Sequence, residues 1–212
     1  MKISIIGSGR VGTALAKGLK RAGHDIVLGV RDMLEARHQP LKADGFAVTS
    51  TAAAVAEAEL VVLATPWEAT LDLVRGLDLE GKTIIDTTNP VAFGPAGLQL
   101  VPLDAPSGAE AIAAAAPGAF VFKTLNQVGA EIMQNAGKAS APPLMLVSGD
   151  DATRKATVVS LVRDLGFDAR DAGGTTAARH LESLAFLWIG QAIAGPLGRQ
   201  FAFAAVPWTA SS

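Results

Sequence analysis

The sequence predicts an α/β fold, a doubly wound parallel sheet with a short helical C-terminal extension. Three observations carry this. Apolar strand-like runs alternate with helix-forming segments along most of the chain, the pattern of a parallel sheet with helices on both faces. The first run, Ile3-Ser4-Ile5-Ile6, leads straight into Gly7-Ser8-Gly9-Arg10-Val11-Gly12, and an amphipathic segment with Leu15, Ala16 and Leu19 follows. What remains after Arg170 is too short for the large helical second domain that many dehydrogenases carry. The chain therefore divides into 1–170, a dinucleotide-binding domain, and 171–212, a short helical extension; the second substrate is then covered by this extension or by a partner subunit.

The elements follow in order. Lys2 to Ile6 makes the first strand, and the first helix runs from about Val11 to Ala22, closed by Gly23. A G-x-G-x-x-G motif gains weight when it ends a strand and opens a helix, as here. Gly7 allows the tight turn, and Gly9 lets a diphosphate approach with no Cβ in the way. Gly12 lets helix and strand pack closely, and the helix N-terminus offers free N–H groups to the anion. This is the Rossmann pattern. Asp25 to Gly29 and Phe46 to Thr49 are short strands, and the alanine-rich segment Ala52 to Glu57 is a helix on propensity alone. Leu60-Val61-Val62-Leu63-Ala64 is wholly apolar, as a central strand buried on both faces must be. It ends at Thr65-Pro66-Trp67, before a helix carrying Leu71, Val74 and Leu77.

Thr83 to Asp86 is the fifth strand and stops at Thr87-Thr88-Asn89-Pro90. The proline- and glycine-rich region 91–107 reads as a long loop. Ala111 to Ala116 is a short helix, Phe120 to Lys123 the sixth strand and Leu144 to Ser148 the seventh. Ala152 to Leu165 is an amphipathic helix, and Phe167 to Ala169 a last strand. The apolar stretch 184–206 is broken by Gly190, Gly195-Pro196 and Arg199, so it reads as a buried or dimer-forming helix and not as a membrane span of about 20 apolar residues.

Bulk composition narrows the chemistry. With 212 residues, half of them hydrophobic, the chain buries a large core. Its net charge of -2 gives no reason to expect nucleic acid or an acidic membrane as partner. There is no cysteine, so thiolate nucleophiles, disulfides and Cys-ligated metals are excluded. There is no tyrosine either, which removes the Tyr/Lys proton-donor pair of many short-chain reductases. No metal-binding cluster stands out. The N-terminus enters a strand at once, without the layout of a signal peptide, and a cytoplasmic location is expected.

In a dinucleotide fold the end of the second strand selects the cofactor: a carboxylate there holds ribose hydroxyls, an arginine the 2′-phosphate. Leu28-Gly29-Val30-Arg31 reaches that point with no acid before Arg31. Arg37, His38 and Lys42 add cations nearby, so the site favours NADP. The other role open to Arg31 is a surface pair with Asp32 or Glu35, a contact worth ~0–1 kcal/mol. Thr65, Pro66, Trp67 and Asn89-Pro90 end the fourth and fifth strands and face the same crevice. Thr65-Pro66 also suits a helix N-cap followed by a proline in the first turn. Among acid–base candidates, His24 sits in a turn remote from the crevice, and His38 reads as a surface residue or phosphate neighbour. His180 starts the C-terminal helix, and Lys123 ends a strand as either a proton donor or a solvated lysine. So few candidates suit a hydride passing between two ring systems, which needs no obligatory side-chain acid. No catalytic side chain is assigned.

The glycine motif, Gly23-His24-Asp25 leading to Arg31, Thr65-Pro66-Trp67, Thr88-Asn89-Pro90 and Lys123-Thr124-Leu125-Asn126 occur in order. So do Asp171-Ala172-Gly173, Ala178-Arg179-His180-Leu181-Glu182, Leu187-Trp188 and Gly198-Arg199-Gln200-Phe201-Ala202-Phe203. Together they resemble the coenzyme F420-dependent NADP oxidoreductase family over nearly the whole chain, the tail motif being the most specific part. The resemblance implies cofactor contacts at Ser8, Arg10, Val11, Arg31, Thr65, Pro66 and Asn89. It implies second-substrate contacts near Asn126, Thr175 and Thr176, and a homodimer formed through the extension. Val30 departs from the family, which often has serine there, and one phosphate donor is lost. The implied reaction is hydride transfer between NADP(H) and a deazaflavin (F420) or a flavin such as FMN. Two other readings use the same loop: an NADPH-dependent reductase of an imine or carbonyl with Lys123 or His180 as proton donor, and a non-catalytic NADP sensor.

Overall fold

The computed structural model describes residues 1–208; the last four residues of the extension predicted for 171–212 lie outside them. The first strand, β1 (Lys2–Ile6), carries Ile3 and Ile5 into one apolar cluster and Ile6 into another, because successive side chains point to opposite faces. Both faces must therefore be covered, and the following segments cover them alternately. After β1 come α1 (Arg10–Arg21), β2 (Asp25–Val30), a 3₁₀ turn (Ala36–His38), α2 (Gln39–Ala43), β3 (Ala47–Ser50) and α3 (Thr51–Ala56). Next are β4 (Leu60–Leu63), α4 (Trp67–Arg75), β5 (Thr83–Asp86) and a hairpin of β6 (Val91–Gly94) and β7 (Gly97–Leu100). Then follow α5 (Gly108–Ala115), β8 (Phe120–Lys123), α6 (Ala130–Met133), β9 (Leu144–Val147), α7 (Ala152–Asp164), β10 (Asp168–Asp171) and α8 (Ala178–Ile193). Short 3₁₀ turns also precede β9 (Ala136–Lys138) and α8 (Thr175–Ala177).

Six strands form one parallel sheet in the order β3-β2-β1-β4-β5-β8. The order reverses beside β1, which puts the topological switch point, where such sheets bind ligands, directly over the glycine loop. One face is closed by α1 and α7 with Leu15, Leu19, Val158 and Val162. The other is closed by α3, α4 and α5, with Val55, Trp67, Val74 and Ile112. Among the described residues no helix is long and apolar enough to cross a membrane.

Four features depart from the sequence expectation, one being that the stretch 184–206, read as a helix, is helical only to Ile193, where α8 ends. The predicted loop 91–107 begins with the hairpin β6–β7, whose short strands pair antiparallel around Gly97 in the left-handed region (φ 90°). Exposed residues interleave with partly buried ones there, so no buried face announced the strands. The last two strands do not extend the main sheet. They form a separate parallel pair, attached to it through an antiparallel bridge between Lys123 and Ser148. Finally, α2 is too short to leave a periodic pattern.

The extension is fastened by aromatic packing. Trp188 on α8 donates its indole N–H to the Phe201 carbonyl at 2.9 Å and stacks on the Phe201 ring at 5.5 Å. Phe201 meets Phe203 edge-on at 5.7 Å, and the Phe203 carbonyl accepts the Leu144 amide of β9. Each such ring pair contributes about 0.5–1.5 kcal/mol beyond its buried area.

Candidate dinucleotide-binding site

The glycine loop is built from close contacts that leave no room for side chains at two of its positions. Gly7 has φ 110°, and a Cβ there would lie 2.5 Å from the Ala64 carbonyl oxygen. A Cβ on Gly12 would overlap the Gly7 carbonyl itself. Gly9 is different. Its φ of −70° suits any residue, and a Cβ there would meet nothing within 4 Å. No protein contact requires glycine at position 9, so the space above it is what the glycine preserves. The first turn of α1 has no side-chain cap and no acidic residue. Its N–H groups are thus left for an anion, where the helix dipole favours negative charge.

A cavity of about 520 Å³ opens beside this loop. Gly7, Ser8 and Gly9 form its floor, Val30, Arg31 and Arg37 one end, and Thr65 and Pro66 another wall. Arg31 is exposed and makes no hydrogen bond or ion pair among the described residues; its proposed surface partner Glu35 is taken by Arg37. Gly29 keeps the base of the cavity tight, since a Cβ there would lie 2.6 Å from Ile6 Cδ1 and 3.0 Å from Ala54 Cβ. Thr65 does not cap α4; its hydroxyl bonds the Thr70 hydroxyl at 2.9 Å, and Pro66 occupies the cap position.

The other residues singled out by sequence lie elsewhere. Val11 packs against the core, and Gly12 is buried. Arg10 lines an adjoining hollow with Ser8, Gly9 and Arg37 and pairs there with Glu131, a carboxylate that also accepts from Arg199 of the extension at 3.1 Å. The Arg199 hydrogen bond, opposed in part by burial, holds Glu131 below its ordinary 4.5. Asn89 and Asn126 bond each other: the Asn126 amide donates to Asn89 Oδ1, and the Asn89 amide to the Asn126 carbonyl, both at 2.9 Å. Asn126 is buried and also donates to the Leu181 carbonyl at 3.3 Å. Thr175 reaches across to Asp150, giving it the backbone N–H and the hydroxyl at 2.8 Å each, whereas Thr176 is exposed.

These two bonds hold the Asp150 carboxyl below its ordinary 3.8. A depressed folded-state value means the contact stabilises the fold above that pH, and the contribution fades as pH falls through the lower folded value. Asp150→Asn is therefore expected to flatten the acid limb of a stability curve between about pH 5 and pH 3. At neutral pH it should cost under about 1 kcal/mol, since the group is exposed. Urea unfolding across that range checks it; an unaltered acid limb would count against the tether.

Two expectations are corrected. His38 is completely buried, and neither ring nitrogen has a partner among the described residues, so it is neither a surface residue nor a phosphate neighbour. Lys123 is also completely buried, and its ammonium is enclosed by Asp86, Glu182 and the Thr88 carbonyl. It is not a solvated strand-end lysine. The parallel register pairs Asp86 with Lys123, so the one charge ending each apolar strand was the signal for this contact. His24, by contrast, pairs with Asp164 at 3.2 Å, in keeping with a structural role.

Strand order, glycine loop and cavity together define a Rossmann protein of the dinucleotide-binding class. Comparison with known proteins narrows this. Residues 2–90 match the family model for NADP oxidoreductase, coenzyme F420-dependent. The crystal structure of a proposed F420-dependent NADP-reductase from Arthrobacter sp. FB24 superposes with a TM-score of 0.85 at 32% identity, covering 98% of this chain and 100% of that one. The F420-dependent NADP reductase of Methanothermobacter marburgensis is 29% identical over 89% of this chain and 91% of its own length. The metalloreductase STEAP3 of Rattus norvegicus is 31% identical over 86% of this chain, which spans only 36% of that protein. The chain belongs to the coenzyme F420-dependent NADP oxidoreductase family.

Proposed function

We propose that the protein binds NADP(H) across the carboxyl ends of β2, β1, β4 and β5 and serves hydride transfer between the nicotinamide and a deazaflavin or flavin. The observation that carries this reading is Arg31, unpaired among the described residues at the end of a cavity floored by Gly7, Ser8 and Gly9. The α1 amides and the open space over Gly9 suit a diphosphate, and Arg31 with Arg37 suits the 2′-phosphate in place of the serine lost at Val30. Thr65, Pro66 and Asn89 then bound the ribose and ring half. When bound, NADPH supplies the hydride; the chain's part is to bind, orient and exclude water. The imine or carbonyl reading loses Lys123, which is buried with three acceptors around its ammonium. Thr175 and Thr176 stand at the base of α8, where the second substrate would enter. Leu187, Ile193 and Leu197 are each more than half exposed, which supports pairing of two copies through the extension.

NADPH oxidation followed by absorbance, with F420 or FMN as acceptor, tests the reaction. Turnover with either supports the reading; tight NADPH binding without turnover on these or on a panel of imines and carbonyls favours a sensor. The cofactor assignment has its own test. Arg31→Ser is expected to weaken NADPH binding roughly ten- to a hundredfold and to leave NADH binding nearly unchanged. Equal losses for both nucleotides would remove Arg31 from the 2′-phosphate.

A further inference from the structure

Beneath the turn that ends β5 lies an ionic cluster to which the reading above gives no role. The Lys123 ammonium donates to Asp86 Oδ2 at 2.6 Å, to the Thr88 carbonyl at 2.8 Å and meets Glu182 Oε1 at 2.9 Å. Two of its hydrogens are donated and the Glu182 carboxylate stands at ion-pair distance, and Lys123 and Asp86 are wholly buried. Asp86 Oδ1 accepts the Thr88 N–H at 2.8 Å and the Thr88 hydroxyl at 2.7 Å. Glu182 on α8 accepts the first amides of α5, Gly108 at 3.1 Å and Ala109 at 3.3 Å. Buried charges persist only where every lone pair and proton finds such a partner. The cluster therefore fastens three elements to one ammonium: the turn Thr87–Pro90, the start of α5, and α8.

Everything around this turn is tied in the same way. The Thr87 hydroxyl donates to the Leu63 carbonyl at 2.8 Å, joining the turn to the end of β4. Asn126 joins Asn89 to the Leu181 carbonyl, one residue before Glu182. Between Lys123 and Asn126 sits Leu125 at φ 58°, a left-handed conformation that a bulky side chain adopts only when its surroundings impose it. The adenosine end of the cavity, at Arg31 and Arg37, shares none of these contacts. In a sheet of this order the diphosphate crosses at β1, so the nicotinamide half falls toward β4 and β5.

We propose that Lys123, Asp86 and Glu182 are positioning residues for the nicotinamide half of the site: they hold Thr87–Pro90 in register with β4 and the C-terminal extension. This rests on the NADP(H) reading above. The test needs no acceptor. Wild type and the neutral variant Asp86→Asn/Lys123→Met/Glu182→Gln are titrated with NADPH and with 2′,5′-ADP, which lacks the nicotinamide half. The variant is expected to bind 2′,5′-ADP within about twofold of wild type and NADPH about tenfold more weakly, as a small displacement of a binding wall produces. The fluorescence of bound NADPH should shift toward that of the free nucleotide. An unchanged ratio of the two affinities, including parallel loss of both, overturns the proposal. Glu182→Gln alone, which keeps an acceptor for α5, is the second variant should the triple one not fold, and a smaller split in the same direction is expected. Wild-type protein that binds neither nucleotide would instead overturn the NADP(H) reading, and this inference with it.

Discussion

Gly12→Ala is expected to weaken NADPH binding by at least about a hundredfold, some 2.7 kcal/mol, and to lower thermal stability at the same time. The added Cβ would overlap the Gly7 carbonyl, and Gly7 has nowhere to go. Its amide bonds the Gly29 carbonyl at 3.0 Å, and its own Cα faces the Ala64 carbonyl so closely that a Cβ would lie 2.5 Å from it. Accommodating the methyl means moving α1 or opening the loop, and either change displaces the amides that suit the diphosphate. Gly9→Ala is the informative control. Its Cβ meets open space at an ordinary φ, so stability should hold while nucleotide affinity falls. Calorimetric titration beside thermal unfolding separates the two. Wild-type affinity in Gly12→Ala would mean that the loop is not the binding element.

How much of this was legible beforehand follows from the range of each interaction. The apolar alternation and the glycine motif are local, so the parallel sheet and the loop geometry could be read from Lys2 to Leu63 directly. Arg31 was legible for the same reason: it follows β2 at a fixed distance from the glycines. The cluster of Asp86, Lys123 and Glu182 was not, because its members are far apart in sequence and only the register of β5 on β8 and the docking of α8 bring them together. His38 fails for a related reason. A histidine among Arg37, Gln39 and Lys42 looks solvated in sequence, whereas the 3₁₀ turn rotates it inward and leaves Arg37 at the cavity. The resemblance implies Arg10 as a cofactor contact, and nothing local announces Glu131 as its partner.

Lys123→Met is expected to be strongly destabilising. Removing one member of a buried ion cluster strands the others, here two carboxylates within the protein and the Thr88 carbonyl, at a cost of about 3–5 kcal/mol. For a chain of this size each kcal/mol lowers Tm by about 2–4 °C, so a fall of roughly 6–20 °C should appear in thermal unfolding. Methionine fills much the same volume, so the loss measures charge and hydrogen bonding more than a cavity. The neutral triple variant should recover most of the fall. Its Asp86→Asn and Glu182→Gln changes keep an amide oxygen as acceptor for the Thr88 and Gly108 N–H groups and leave no charge unpaired. That pairing of results separates two quantities that one mutant confounds. Stability would follow the uncompensated charge, and nucleotide affinity would follow the anchored turn. A Lys123→Met protein that melts with wild type would show instead that the cluster does not hold the fold.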